Sequence, residues 1–132
     1  MTTLFKRTRI FANFENKRVR KLFEQVWENL PEADQRMLEA ELVNLSDIMW
    51  LSGEGTTIYD PSIRTIQVRG EDLEQMDDHM AMYIIAWTLA HALRNKPGKF
   101  EIDEGVDEDA DGQAEVWGFP RPRMMTGEVS RN

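Results

Sequence analysis

The stretch Ile84-Ile85-Ala86-Trp87-Thr88-Leu89-Ala90-His91-Ala92-Leu93 decides how this chain is organised. It is apolar nearly all round, and a helix with no face left for solvent must be surrounded by the rest of its domain. Upstream, Glu74, Asp77 and Asp78 place negative charge where a helix dipole favours it, and Asp72 has the right chemistry for the N-cap. Downstream, Pro97-Gly98 stops the helix after about Asn95. The pattern predicts one long, central, buried helix over about 72–95. The run from Met80 to Leu93 is interrupted by Thr88 and His91 and is too short to span a bilayer, so no membrane association is expected.

Working outward, Val19, Leu22, Phe23, Val26, Trp27 and Leu30 recur at three- and four-residue steps, which makes one apolar stripe on a helix beginning near Asn16. Pro31 ends it and can open the next helix, expected to run to about Ser46 with Leu38, Leu42, Leu45 and Met49 inward. Gly53 and Gly55 break that pattern. Thr56–Tyr59 and Ile63–Val68 then suit two strands around a turn at Asp60-Pro61-Ser62, with Ile66 and Val68 sharing a face. A last helix is expected from about Asp107 to Trp117, ended by Gly118-Phe119-Pro120. The fold class is α+β, mostly helical, with a small β-sheet and a central buried helix. Residues 1–15 form a basic arm, 16–120 the domain, and 121–132 a flexible tail.

Composition bounds the function classes. At 132 residues and 41% hydrophobic content, with four Trp and eight Met, the chain suits one globular domain. It has no cysteine, which excludes disulfides and thiolate metal sites and suits a cytoplasmic protein. Met1 leads into a basic, polar stretch without an apolar core, so no signal peptide is expected. The net charge is −8, unevenly spread: residues 1–21 hold seven basic residues against Glu15, a net of +6, leaving −14 for the remainder. Basic residues within 6–21 could contact nucleic acid, but a strongly acidic body repels a phosphate backbone. Packing against the chain's own acidic segment, or plain solvation, is the simpler expectation.

Chemistry concentrates in two places. His91 lies in the apolar half of the central helix, where a lone histidine is more often a core residue than a ligand. His79 lies in the polar half and is expected at the surface. Twelve residues along a helix is a rotation of roughly 1200°, which sets His79 about 120° from His91, so it is poorly placed as a second ligand. The other place is Asp107-Glu108-Asp109-Ala110-Asp111. Asp107, Asp109 and Asp111, followed by Gly112, match the opening half of a calcium loop, with carboxylates at positions one, three and five and the turn glycine at six. The closing bidentate Glu would fall at 118, which is Gly118. A helix from 107 would also splay these carboxylates apart.

Together, Trp87-Thr88-Leu89-Ala90-His91 with its apolar lead and Ala92-Leu93, and Asp107-x-Asp109-Ala110-Asp111-x-x-Ala114-x-x-Trp117-Gly118-Phe119, resemble small zincin-like metallopeptidase domains over residues 16 to 119. Such domains carry HExxH and an ExEADxxAxxWGF-like segment. The resemblance implies that His91 stands at the second histidine ligand and Asp107 at the acidic third ligand. Asp111 stands at the carboxylate that orients a histidine. Trp87 stands at the first ligand position, and indole offers no lone pair to zinc. Thr88 stands at the general-base position, where a hydroxyl cannot accept and return a proton near neutral pH. The expectation is a degenerate HExxH motif on a zincin-like fold without peptidase activity: a pseudoenzyme acting as a binding or regulatory module for a protein or peptide partner, through a groove between the strand pair and the central helix. His91 and Asp111 are then expected to survive as a buried pair, with no cofactor. The alternatives are a metal site at His91, Asp107 and Asp111, a calcium site at Asp107, Asp109 and Asp111, a nucleic-acid or basic-partner interaction protein, and a metalloenzyme with an unconventional site.

Overall fold

In the computed structural model, residues 17–41, 44–48, 56–100 and 108–122 are described. Helix α1, Lys17–Asn29, buries Val19, Leu22, Phe23, Val26 and Trp27, the stripe expected from their spacing. At the Leu30-Pro31 junction the Pro31 carbonyl accepts the first bond of helix α2, Glu32–Glu41, from Gln35 N at 3.0 Å. The buried Gln35 amide donates back to the carbonyls of Trp27 (2.7 Å) and Leu30 (3.3 Å), which ties the start of α2 to the end of α1.

Helix α2 is shorter than its apolar spacing predicts. It ends at Glu41, and Asn44–Ile48 forms strand β1 instead of continuing the helix to Ser46. Arg64 stabilises that ending, donating to the carbonyls of Ala40 (2.7 Å) and Glu41 (3.0 Å). Leu45 thus belongs to a strand, while Leu42 and Met49 lie outside the described residues. Helical spacing was overridden by a partner strand remote in sequence, which a local pattern does not register.

Strands β2, Thr57–Asp60, and β3, Thr65–Arg69, pair antiparallel around the expected turn, with Thr57 opposite Val68 and Asp60 opposite Thr65. Within the turn, the Asp60 carboxylate accepts from the amide (3.0 Å) and hydroxyl (2.6 Å) of Ser62. Ile66 and Val68 point inward, as their alternation requires. Strand β1 adds parallel to β3, and a further strand, β4, Gly98–Phe100, adds antiparallel to β2, giving the sheet order β1-β3-β2-β4.

The central helix is broken near its start. A short helix α3, Gly70–Glu74, precedes the main helix α4, Asp78–Leu93. The N-cap is Asp77, whose carboxylate accepts from Met80 N at 2.8 Å; Asp72 lies inside α3 and pairs with Arg69 at 3.6 Å. The break is held by Arg18 of α1, which donates to the carbonyls of Leu73, Glu74 and Met76 and to the Asp78 carboxylate (2.6 Å). Helix α4 ends with Asn95 at φ 55 and Lys96 N bonded to the His91 carbonyl at 3.0 Å, so Asn95 takes the left-handed position usual for glycine. Helix α5, Glu108–Val116, ends likewise: Gly118 has φ 102, and Phe119 N bonds the Ala114 carbonyl at 2.8 Å.

The chain is an α+β fold in which α4 packs against α1, α2, α5, β2 and β4. From Tyr83 to Ala90 every residue of α4 is buried, so the central, enclosed helix is as expected. No helix among the described residues is long and apolar enough to cross a membrane. The arm 1–15 and residues 123–132 lie outside the described residues.

Candidate functional site

Trp87, Thr88 and His91 sit where α4 faces the sheet. Thr88 is fully buried. Its hydroxyl donates to the Ile84 carbonyl at 2.9 Å and lies 2.5 Å from the Thr57 hydroxyl of β2. Since the Thr88 proton is committed to the carbonyl, Thr57 is the donor in the second bond, and Thr88 is used as both donor and acceptor. Strand pair and helix therefore meet at Thr57 and Thr88 through a direct side-chain hydrogen bond.

Trp87 and His91, one turn apart, form a ridge with Tyr83. The Trp87 and His91 rings stand 4.3 Å apart at 49°, and Phe100 of β4 meets Trp87 edge-on at 5.1 Å and Tyr83 at 5.9 Å. Trp87 is only 6% exposed. Gly98 closes over His91 so tightly that a Cβ there would fall 2.5 Å from His91 Cγ and 2.6 Å from Nδ1. The absence of a side chain at 98 is thus what lets β4 lie against the imidazole. Indole, imidazole and the β4 backbone are packed into one layer.

The carboxylates of α5 go elsewhere. Asp111 accepts from the Tyr83 hydroxyl at 2.5 Å and from Arg121 at 3.0 Å, and Arg121 also reaches the Tyr83 oxygen at 3.3 Å. Where the resemblance implies His91 as the partner of Asp111, the two Asp111 oxygens are hydrogen-bonded to Tyr83 and Arg121. This triad is well shielded, with Arg121 and Asp111 side chains 13% and 16% exposed. Burial first, then the hydrogen bond to Asp111 and its negative charge, hold the Tyr83 phenol well above its usual value. Tyr59 is raised likewise, by burial and then by donating to Glu41.

Asp109 is exposed and stands 3.8 Å from Arg94, so Asp109 and Asp111 are aimed at different partners, as two residues about 200° apart on a helix must be. Asp107 lies outside the described residues. His79 is exposed, as expected, with Nε2 3.4 Å from the Pro120 carbonyl. Among the described residues no three His, Asp or Glu side chains gather into a metal-holding group. In the basic segment, Arg18 is committed to α3 and Asp78, and Arg20 pairs with Glu24 at 3.3 Å.

Two openings flank this layer. A cleft of about 110 Å³ lies between the end of α4 and the start of α5, lined by Ala90, His91, Arg94, Lys96, Asp109 and Ala110. A wider groove of about 240 Å³ runs along β2 and β4 between Ile58, Asp60, Pro97 and Lys99. Tyr83, Gly98, Phe100 and Arg121 were not singled out in the sequence. Tyr83 had a signal, since it precedes Trp87 by one turn and His91 by two. Gly98 is legible only as a helix stop, and β4 is too short to announce itself.

No protein-family model, no curated protein and no solved structure matches the chain.

Proposed function

We propose that this chain is a zincin-like domain that has lost peptide hydrolysis and works as a binding or regulatory module for a protein or peptide partner. The observation that carries the proposal is Thr88. At the position where metallopeptidase chemistry needs a carboxylate facing water and substrate, the side chain is a fully buried hydroxyl bonded to Thr57 and Ile84. Trp87, at the first ligand position, is packed between Phe100 and His91, which supports the same reading. The site residues proposed from the resemblance are then scaffold: His91 as a stacked, half-buried imidazole and Asp111 as the anchor of Tyr83 and Arg121.

The test is direct. Protein purified without added metal is assayed for metal content, for melting-temperature shifts with zinc and with calcium, and for cleavage of an unstructured protein at neutral pH. The expected outcome is no stoichiometric metal and no cleavage. Reproducible cleavage abolished by a chelator would overturn the proposal, and stabilisation by calcium alone would move attention to Asp107, Asp109 and Asp111.

A further inference from the structure

We infer that the cleft at the end of α4 binds a carboxylate presented by a protein partner. The inference deepens the binding role proposed above and rests on it. On a protein of net charge −8, the described lining of this cleft gathers the opposite sign: Arg94 and Lys96 stand over it, and among the described residues that line it Asp109 is the one carboxylate. That carboxylate is a loose competitor, 74% exposed and 3.8 Å from Arg94, a pairing worth little in water. The floor is Ala90 and Ala110, one small residue from each helix, and their size leaves the space open.

The backbone that carries both cations is held in place. Arg94, Asn95 and Lys96 form the end of α4, with Arg94 N bonded to the Ala90 and His91 carbonyls, Asn95 N to Ala92 and Lys96 N to His91. Their backbone is therefore ordered before any ligand arrives, which reduces the entropy lost on binding. A guanidinium and an ammonium on such a frame suit a carboxylate, which accepts charge-assisted hydrogen bonds from both. The volume, about 110 Å³, is room for roughly three or four waters at about 30 Å³ each, or for one carboxylate with its adjoining carbon. A nucleic-acid backbone fits less well. Its successive phosphates would run past the cleft onto Glu108 and Asp109, both exposed at the start of α5.

The experiment is a backbone amide NMR titration of the full chain. Three N-acetylated peptides of one alanine-rich sequence are compared: one with a free C-terminal carboxylate, one amidated with a central glutamate, and one amidated without it. A short single-stranded oligonucleotide is titrated alongside. The expected result is saturable shifts at Ala90, Arg94, Lys96 and Ala110 with one or both carboxylate-bearing peptides, and none with the neutral one. Which of the two binds tells whether the partner offers a chain end or an acidic side chain. Lys96→Glu, at an exposed position, should keep the wild-type melting temperature and weaken binding about fivefold or more. Equal shifts with the neutral peptide, no shifts at all, binding indifferent to Lys96→Glu, or stronger binding of the oligonucleotide at these amides would each overturn the inference. Chelator-sensitive cleavage would sink the loss of catalysis and leave these peptide results intact. Absent peptide shifts would sink the carboxylate site and leave the loss of catalysis standing.

Discussion

Along α4, Trp87 and His91 meet β4 through ring against ring and ring against bare backbone, whereas Tyr83, one to two turns away, meets α5 and Arg121 through hydrogen bonds to charged groups. The two contacts share Phe100, whose ring touches both Trp87 and Tyr83, yet they respond to different perturbations. The first is a matter of shape: it depends on volume and is indifferent to protons on Tyr83. The second is a matter of charge in a shielded place, where an acceptor left without its donor costs more than the bond itself contributes. Helix α4 is tied down on one side by packing and on the other by a polar triad.

The sharpest way to break the packed contact is Gly98→Ala. The new methyl would lie 2.5 Å from His91 Cγ, so strand or imidazole must move, and urea denaturation should show a loss of about 1–3 kcal/mol. Because the obstacle is the imidazole, adding His91→Ala should recover part of that loss. A double-mutant cycle with strictly additive effects would mean the two residues do not collide.

The polar contact is tested by Tyr83→Phe, which keeps the ring against Phe100 and removes the donor to Asp111. The expected loss is about 1–2 kcal/mol at neutral pH, read from the same unfolding curves. Its pH dependence separates it from packing. The folded phenols of Tyr83 and Tyr59 hold their protons more tightly than unfolded tyrosine, whose value is about 10. Their contribution is therefore complete below pH 10 and is lost as pH rises beyond it, by up to about 1.4 kcal/mol per pH unit for each tyrosine. Tyr83→Phe should make the alkaline fall shallower, while Gly98→Ala should leave its slope unchanged. Parallel slopes in wild type and Tyr83→Phe would contradict the assignment.

How legible this was in the sequence follows from the range of each interaction. The stripe of α1, the turn at Asp60–Ser62 and the end of α5 at Gly118 depend on neighbours a few residues apart, and the spacing of apolar and turn residues declares them. Strand β1 depends on β3, and the break between α3 and α4 on Arg18, more than fifty residues earlier in the chain. No local pattern carries that information. The candidate site divides in the same way. That Trp87, Thr88 and His91 share one buried helix was readable from periodicity. That Gly98 must be bare beneath His91 was not, because β4 reaches the helix only through its pairing with β2. The motif also pointed Asp111 toward His91, but its spacing in the chain says nothing of Tyr83 and Arg121, which claim both of its oxygens.

The smallest expected effect makes the comparison most specific to position. His79 and His91 lie on the same helix, in its first and last turns, and differ in what their rings touch. His79 is exposed, and its contact with the Pro120 carbonyl is long at 3.4 Å. Its loss should alter stability by less than about 0.5 kcal/mol, as for most surface substitutions. His91 is half-buried between Trp87 and the Gly98 backbone, so His91→Ala removes a stacked ring and leaves a space that β4 cannot fill without shifting. About 1–2 kcal/mol is expected there. Equal, small shifts in thermal midpoint for both variants would mean that the imidazole is not part of the packed layer. The close approach of β4 to α4 would then need another cause.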